Sequence, residues 1–194
     1  MIPWQDISYL ESGTPSQQRA YRCIHKLGIL EDLREFSPVL VATVCLDIDT
    51  ATSDLDIVCC AKDDAVFRAK ATGLFGSCAR FAIRQSSREG ATVVTFMFDG
   101  LELEIYALGV PVQQQRAYRH MCQTARVLRL GGPDWNRAIR ALKERGLKTE
   151  PAVALCLGLD GDPFAHVEDL EDLSDDRLAA LVRERHPALD KICG

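Results

Sequence analysis

The sequence has no long apolar run, and this argues against a membrane protein. A helix that crosses a bilayer needs about 20 consecutive apolar residues, and the 194 residues contain no such stretch. The first residues, MIPWQDISYLES, also lack the basic and apolar regions of a secretory signal. We therefore expect a cytoplasmic protein that has no membrane partner.

The eight cysteines lack the spacings of a metal cluster or a disulfide framework. There is no C-x-x-C pair, and most of the cysteines lie inside apolar stretches. Buried thiols of a reducing compartment have this distribution. Internal repeats and long linkers are missing as well, so the composition suits one globular domain, or a core with a helical appendage.

Charge is unevenly distributed, although the net charge is only −5. Residues 111–148 hold nine Lys and Arg against two Asp and Glu, a net charge of +7. Residues 149–194 hold four against eleven, a net charge of −7. The basic segment suits a phosphate-bearing substrate, and it equally suits solvated helix faces. The acidic total argues against extensive binding of duplex nucleic acid.

Acidic residues crowd the stretch VATVCLDIDTATSDLDIVCC, residues 41–60. Asp54 and Asp56 lie two residues apart in an apolar run, so on a strand they project from the same face. Such oxygen ligands suit hard cations such as Mg²⁺, which one or two carboxylates hold together with substrate phosphates. A plainer interpretation makes Asp54 a solvated strand start, and Asp47 and Asp49 are typical turn residues.

Four segments carry a resemblance to a known family: LDIDTATSDLDIV, LELEIYA, QQQRAYRHM and LKTEPAVALCLGLDGDPF. They look like successive blocks of an uncharacterised bacterial family, a domain of unknown function placed in the DNA polymerase beta-like nucleotidyltransferase superfamily. The resemblance covers most of the chain. It implies an α+β fold, with a nucleotidyltransferase-like mixed β-sheet flanked by helices in residues 1–110. A C-terminal helical region in residues 111–194 would pack on that core.

The resemblance also implies a set of three carboxylates. Superfamily members place an Asp-x-Asp on one strand and a third carboxylate on a neighbouring strand. The matching residues here are Asp54 and Asp56, with Glu104 in EIYA as the third. Periodicity leaves Glu102 as an alternative, because both glutamates alternate with apolar residues and share one strand face. Both would also suit a solvated sheet face.

The reaction that the resemblance implies is nucleotidyl transfer to an acceptor. The acceptor hydroxyl attacks the α-phosphorus of a nucleoside triphosphate, and pyrophosphate leaves. Asp54, Asp56 and Glu104 would be catalytic and would bind Mg²⁺ or Mn²⁺, with Glu104 acting as a ligand or as the general base. The acceptor stays open: a small molecule, a tRNA end or a protein side chain.

Phosphate binding is the point at which the sequence departs from the superfamily. Its members use a Gly-Ser pair, and the corresponding residues are Ala42 and Thr43. Thr43 keeps a hydroxyl donor, and we assign it to substrate binding together with Ser53. Alanine restricts the positive φ that glycine permits. Asp47 stands where a glycine is common and adds negative charge.

Several basic residues of the later chain are further candidates for contacts with phosphate or substrate, because the planar arginine fork suits phosphate. These candidates are Arg116, Arg119, His120, Arg126 and Lys148. A histidine on a helix is also often structural. Lys148 precedes Thr149, which we expect to cap a helix.

Periodicity and turn residues predict the main elements. Strands are predicted for Val39–Cys45 and Ser53–Cys60, and a hairpin for Thr92–Leu108 around Asp99-Gly100. A helix should start at Thr14-Pro15 and stop at Gly28. Helices should follow Pro111, and their predicted buried positions are Tyr118, Cys122, Ala125, Leu128, Trp135, Ala138, Ile139 and Leu142.

Three classes of function fit these features. The leading hypothesis is a metal-dependent nucleotidyltransferase. The second is a catalytically inactive relative that binds nucleotide, metal or a protein partner, which the alanine at position 42 allows. The third is a phosphodiesterase or nuclease that uses the same carboxylates.

Overall fold

A computed structural model describes residues 4–87 and 89–185. They form two compact units. The first unit holds the residues up to Cys45 together with Thr52–Tyr118, and the second holds Leu46–Ala51 and the residues from Arg119 onward. Each helix in the described ranges is too short or too polar to cross a lipid bilayer. The predicted division into domains at residue 110 stays a prediction.

The first unit is built on a mixed sheet of five strands. In spatial order the strands are β1 (Val39–Leu40), β2 (Leu55–Cys60), β5 (Leu101–Leu108), β4 (Thr92–Phe98) and β3 (Ala79–Gln85). β2 and β5 run parallel, and the other neighbours are antiparallel. The predicted α+β class with a mixed sheet is therefore confirmed.

The hairpin of β4 and β5 forms where its turn residues predict it. Asp99 and Gly100 both have positive φ, 52° and 74°, which is the conformation of the tight turn that suits the twist of two strands. Leu103, Ile105 and Ala107 of β5 are buried, as their alternation predicts. The opposite face of β5 therefore carries Glu102, Glu104 and Tyr106.

The first strand is shorter than predicted. β1 ends at Leu40, and Thr43–Leu46 folds into a short 3-10 helix. The ladder to β2 spans only two residue pairs, and the amide of Cys45 then donates to the carbonyl of Ala42. The prediction that the strand reaches Cys45 is therefore wrong, because local turn bonds replace the ladder.

Three helices accompany the sheet: α1 (Pro15–Leu27), α2 (Ile29–Asp32) and α3 (Asp64–Phe75). Thr14 caps α1 in a reciprocal pair with Gln17, and Gly28 ends it in the left-handed conformation, as predicted. The ring of Phe75 in α3 stacks on Phe96 in β4, with centroids 4.8 Å apart. α3 thus covers the apolar sheet face, opposite the face with the glutamates.

The second unit is helical. Its helices are the part of α4 (Arg116–Gly131) from Arg119 onward, α5 (Pro133–Glu144), α6 (Thr149–Leu157), α7 (Pro163–Asp169) and α8 (Asp175–Arg185). The predicted inward positions of α5 are all buried, and Trp135 is fully so. Ile48, from the short segment Leu46–Ala51, belongs to the same apolar core.

Three details of these helices correct the sequence-based predictions. In α4 the buried face is formed by His120, Met121, Gln123, Thr124, Val127 and Leu128, whereas Tyr118, Cys122 and Ala125 are only half-buried. Asp134, which follows Gly131-Gly132-Pro133 and by its residue type could cap a helix, lies instead in the first turn of α5, and Gly132 stands at the N-cap. Lys148 stands at the N-cap of α6, so Thr149 is already helical.

Candidate functional site

Two of the three predicted carboxylates lie side by side in the sheet. The parallel register of β2 and β5 places Asp56 directly opposite Glu104. Leu55 and Ile57 on either side of Asp56 are buried, whereas Asp56 and Glu104 are half-buried. Since neighbouring strands are about 4.8 Å apart, both acids project together from the face opposite the apolar core.

The third carboxylate lies outside the strand ladder. Asp54 precedes the first residue of β2 and is half-buried. Continuing the register by one residue would set it beside Glu102, the exposed alternative on β5. The convergence of Asp54 with the Asp56–Glu104 pair therefore stays a prediction.

The donor chemistry of the Asp56–Glu104 pair fits a divalent cation. Carboxylate oxygens are hard ligands, and Mg²⁺ is commonly held by one or two of them, with waters and substrate phosphates as the remaining ligands. In residues 4–87 and 89–185, no group of three or more His, Cys, Asp or Glu side chains could hold a metal ion. The pair therefore suits a metal site in which the protein supplies only some of the ligands, and water and substrate phosphates supply the others.

Two polar neighbours of the pair were missed by the sequence analysis. Arg84 of β3 forms an ion pair with Glu104, with Nη2 3.4 Å from Oε2. The hydroxyl of Tyr106 donates to Oε2 of Glu89 at 3.1 Å. Burial, together with the carboxylates of Glu89 and Glu104, raises the pKa of Tyr106. The alternation along β5 indicates that Tyr106 shares a face with Glu104. The position of Arg84 near Glu104 depends on the order of the strands, which no local pattern indicates.

The segment that precedes Asp54 brings together the hydroxyls of Thr43 and Ser53, which are predicted to bind substrate. The hydroxyls of Thr43 and Ser53 are 3.3 Å apart, which ties the 3-10 helix to the start of β2. Positive φ occurs at only four described non-glycine residues, and Ala42 is not among them. The backbone at Ala42 therefore does not need the positive φ that glycine would permit.

Asp47 is neutralised inside the second unit. Its φ is +54°, a left-handed conformation that aspartate tolerates better than most residues. The guanidinium of Arg140 donates to its carbonyl and, at 2.6 Å, to its carboxylate. Asn136 donates to the carbonyl of Leu46 at 3.0 Å. The negative charge that the sequence adds at this position is thus compensated by α5.

We expect Arg140→Met to lower the free energy of unfolding by about 1–2 kcal/mol, since hydrogen bonds to charged groups contribute about 1.5–3 kcal/mol and the partial exposure of this pair reduces that contribution. Urea unfolding followed by circular dichroism would measure the loss. Arg137→Met is the matched control, because Arg137 is in the same helix, is more exposed, and forms a local ion pair with Asp134. The control should lose less than about 0.5 kcal/mol, and equal losses would contradict the role of Arg140.

The predicted basic ligands have intramolecular partners in the second unit. Arg119 donates to Glu171 at 2.9 Å. His120 is buried, with Nδ1 2.9 Å from Glu150 and Nε2 3.2 Å from Glu168. Burial would raise the pKa of Glu150, but the hydrogen bond to His120, a backbone hydrogen bond and the charges of His120 and Lys148 together outweigh it and hold that pKa below its usual value. The predicted substrate contacts of these residues stay predictions.

Other cations of the basic segment are also paired within the second unit. Arg126 donates to the carbonyls of Leu170 and Leu173 at 2.9 and 2.7 Å, and to Asp175 at 3.0 Å. Arg129 reaches the same aspartate at 2.7 Å. Arg116 and Lys148 are half-buried and exposed, respectively, and their predicted contacts with substrate likewise stay predictions.

Comparisons with known proteins agree with this architecture. A solved structure described as "Structure and function of the polymerase core of TRAMP, a RNA surveillance complex" matches with a TM-score of 0.50 and 12% identity. The match covers 92% of this chain and 60% of that one, so this chain spans 60% of its length. At such low identity the likeness concerns the fold alone. No curated protein matches by sequence.

A family model described as "Domain of unknown function (DUF4269)" matches residues 22–170, most of the chain. Together with the mixed sheet and the likeness to a polymerase core, this confirms the resemblance drawn from the sequence. The chain belongs to the DUF4269 family and has a fold similar to that of the polymerase core of TRAMP.

Proposed function

We propose that this protein is a metal-dependent nucleotidyltransferase that moves a nucleotidyl group from a nucleoside triphosphate to an acceptor hydroxyl. The proposal rests on the register that sets Asp56 beside Glu104 on one face of a nucleotidyltransferase-like sheet. A second support is the hydrogen bond between Thr43 and Ser53. It holds two hydroxyl groups at the segment that leads into Asp54.

Each residue of the first unit has a separate part in this proposal. Asp54, Asp56 and Glu104 would hold Mg²⁺ or Mn²⁺, which when bound stabilises the charge that develops on the attacking and leaving oxygens. Glu104 would alternatively accept the proton of the acceptor hydroxyl. Thr43 and Ser53 would donate their hydroxyls to phosphate oxygens.

Two departures from the superfamily pattern do not argue against catalysis. Ala42 adopts its backbone conformation without a positive φ, so a glycine is not required there. Asp47 adds a carboxylate, but Arg140 neutralises it. We further propose that the catalytic core lies in residues 1–110 and that residues 111–194 form an accessory helical region.

The second candidate is a catalytically inactive protein that binds nucleotide or metal. It is favoured by the ion pair between Arg84 and Glu104, because a carboxylate with a cationic partner is a weaker metal ligand. A partner protein would be an alternative ligand for such a relative.

The test is incubation of the purified protein with nucleoside triphosphates labelled at the α-phosphate, in the presence of Mg²⁺ or Mn²⁺. Small alcohols, tRNA and unlabelled protein would be offered as acceptors, and released pyrophosphate would be measured in parallel. Transfer of label with stoichiometric pyrophosphate supports the proposal. Nucleotide binding without turnover supports the inactive relative, and cleavage of the RNA supports a nuclease.

A further inference from the structure

Arg84 reaches Glu104 across an intervening strand. On β4, Val93 lies opposite Arg84, and Thr95 lies opposite both Ala82 of β3 and Glu104 of β5. Since residues two apart share a face, Arg84 projects from the same face as Glu104. Its side chain must therefore cross β4 diagonally to place Nη2 3.4 Å from Oε2.

The Arg84–Glu104 contact is loose and accessible to solvent. A distance of 3.4 Å exceeds the roughly 2.7–2.9 Å of a strong charge-assisted hydrogen bond. The side chain of Arg84 is 59% exposed and that of Glu104 is 30% exposed. Ion pairs of this kind contribute about 1 kcal/mol or less. A divalent cation could therefore displace the guanidinium at a small energetic cost.

We propose that Arg84 is a built-in counter-ion of Glu104 that competes with the divalent cation for this carboxylate. The inference rests on the proposed metal site at Asp56 and Glu104. A cation that enters without nucleotide must displace the guanidinium, and it gains only the protein oxygens in return. A cation that arrives with a triphosphate brings phosphate oxygens as further ligands. Arg84 thus weakens the binding of free metal, and the phosphate oxygens of a bound triphosphate offset that loss of affinity.

The experiment is a titration of the full chain with Mn²⁺ in the absence of nucleotide, with free Mn²⁺ followed by electron paramagnetic resonance. Arg84→Met is expected to lower the Kd for Mn²⁺ about threefold, since removal of a weak competing pair gives a gain of that size. Arg68→Met is the matched control, because it removes the same charge from an ion pair within α3. The control should leave the Kd nearly unchanged.

Further variants separate this inference from the proposed function. The increase in Mn²⁺ affinity should vanish when Glu104→Gln is added to Arg84→Met, because the carboxylate for which Arg84 and the cation compete is then absent. If Arg84→Met has no effect while Asp56→Asn and Glu104→Gln weaken Mn²⁺ binding, the competition is disproved and the metal site stands. If neither acidic variant changes Mn²⁺ binding, both the site and the inference are wrong. Thermal unfolding of each variant would confirm that it is folded.

Discussion

Asp56→Asn is expected to reduce nucleotidyl transfer on the order of 10³-fold, because a ligated cation contributes several kcal/mol to the stabilisation of charge in the transition state. Asparagine has nearly the same size as aspartate, and the buried neighbours Leu55 and Ile57 hold the strand in place. The loss should therefore arise without unfolding. The measurement is the initial rate of label transfer from an α-labelled triphosphate, at saturating Mg²⁺.

Asp32→Asn makes the same chemical change on α2 and provides the control. Asp32 is exposed, and its replacement should alter the rate by less than about twofold, as expected for a surface site. A folded Asp56→Asn variant that retains the wild-type rate would remove Asp56 from the mechanism. Glu102→Gln, compared with Glu104→Gln, would then show which glutamate of β5 matters.

Local signals predicted the elements that local contacts determine. The Asp99-Gly100 turn and the alternation along β5 need only near neighbours in the chain, and both appear as expected. The same holds for α1, whose start depends on Thr14 and Gln17 three residues apart. The side-by-side placement of Asp56 and Glu104 was expected only from the resemblance, because no local signal indicates which strands are neighbours.

The length of β1 could not be predicted from propensity. Val39–Cys45 is rich in residues that favour strands, but the ladder with β2 extends over two pairs only. Beyond Leu40 the chain turns, and Thr43 meets Ser53. This arrangement depends on tertiary contacts, which outweigh β-propensity for a short segment.

The buried face of α4 was mispredicted because polar residues occupy it. His120, Gln123 and Thr124 are buried although a hydrophobicity pattern assigns such residues to solvent. The partners of His120, Glu150 and Glu168, lie far away along the chain. A pattern read within one helix contains no information about such partners.

The opposite charges of residues 111–148 and 149–194 have a similar explanation. The segments neutralise each other in the second unit through pairs such as Arg119–Glu171 and Arg126–Asp175. Complementary charge on two segments is therefore sufficient reason for the asymmetry. A phosphate-bearing ligand is not needed to explain it.

His120→Leu is expected to lower the free energy of unfolding by about 3 kcal/mol, because it removes a buried hydrogen-bond partner that two half-buried carboxylates share. Both ring nitrogens contact carboxylates, Nδ1 at 2.9 Å from Glu150 and Nε2 at 3.2 Å from Glu168. Leucine has a similar volume, so the loss through packing should be small. Urea unfolding at pH 5.5 would measure the change.

The pH dependence of this loss distinguishes charge from packing. The pKa of Glu150 lies below its usual value in the folded protein, so its contribution is present above the unfolded value of about 4.3 and is lost as pH falls through the folded pKa. The difference between wild type and His120→Leu should therefore narrow from pH 5.5 to about pH 3. Adding Glu150→Gln to His120→Leu should restore part of the stability at pH 5.5, because one uncompensated charge is removed. A loss that is independent of pH, and that Glu150→Gln does not relieve, would show that His120 stabilises the second unit by packing alone.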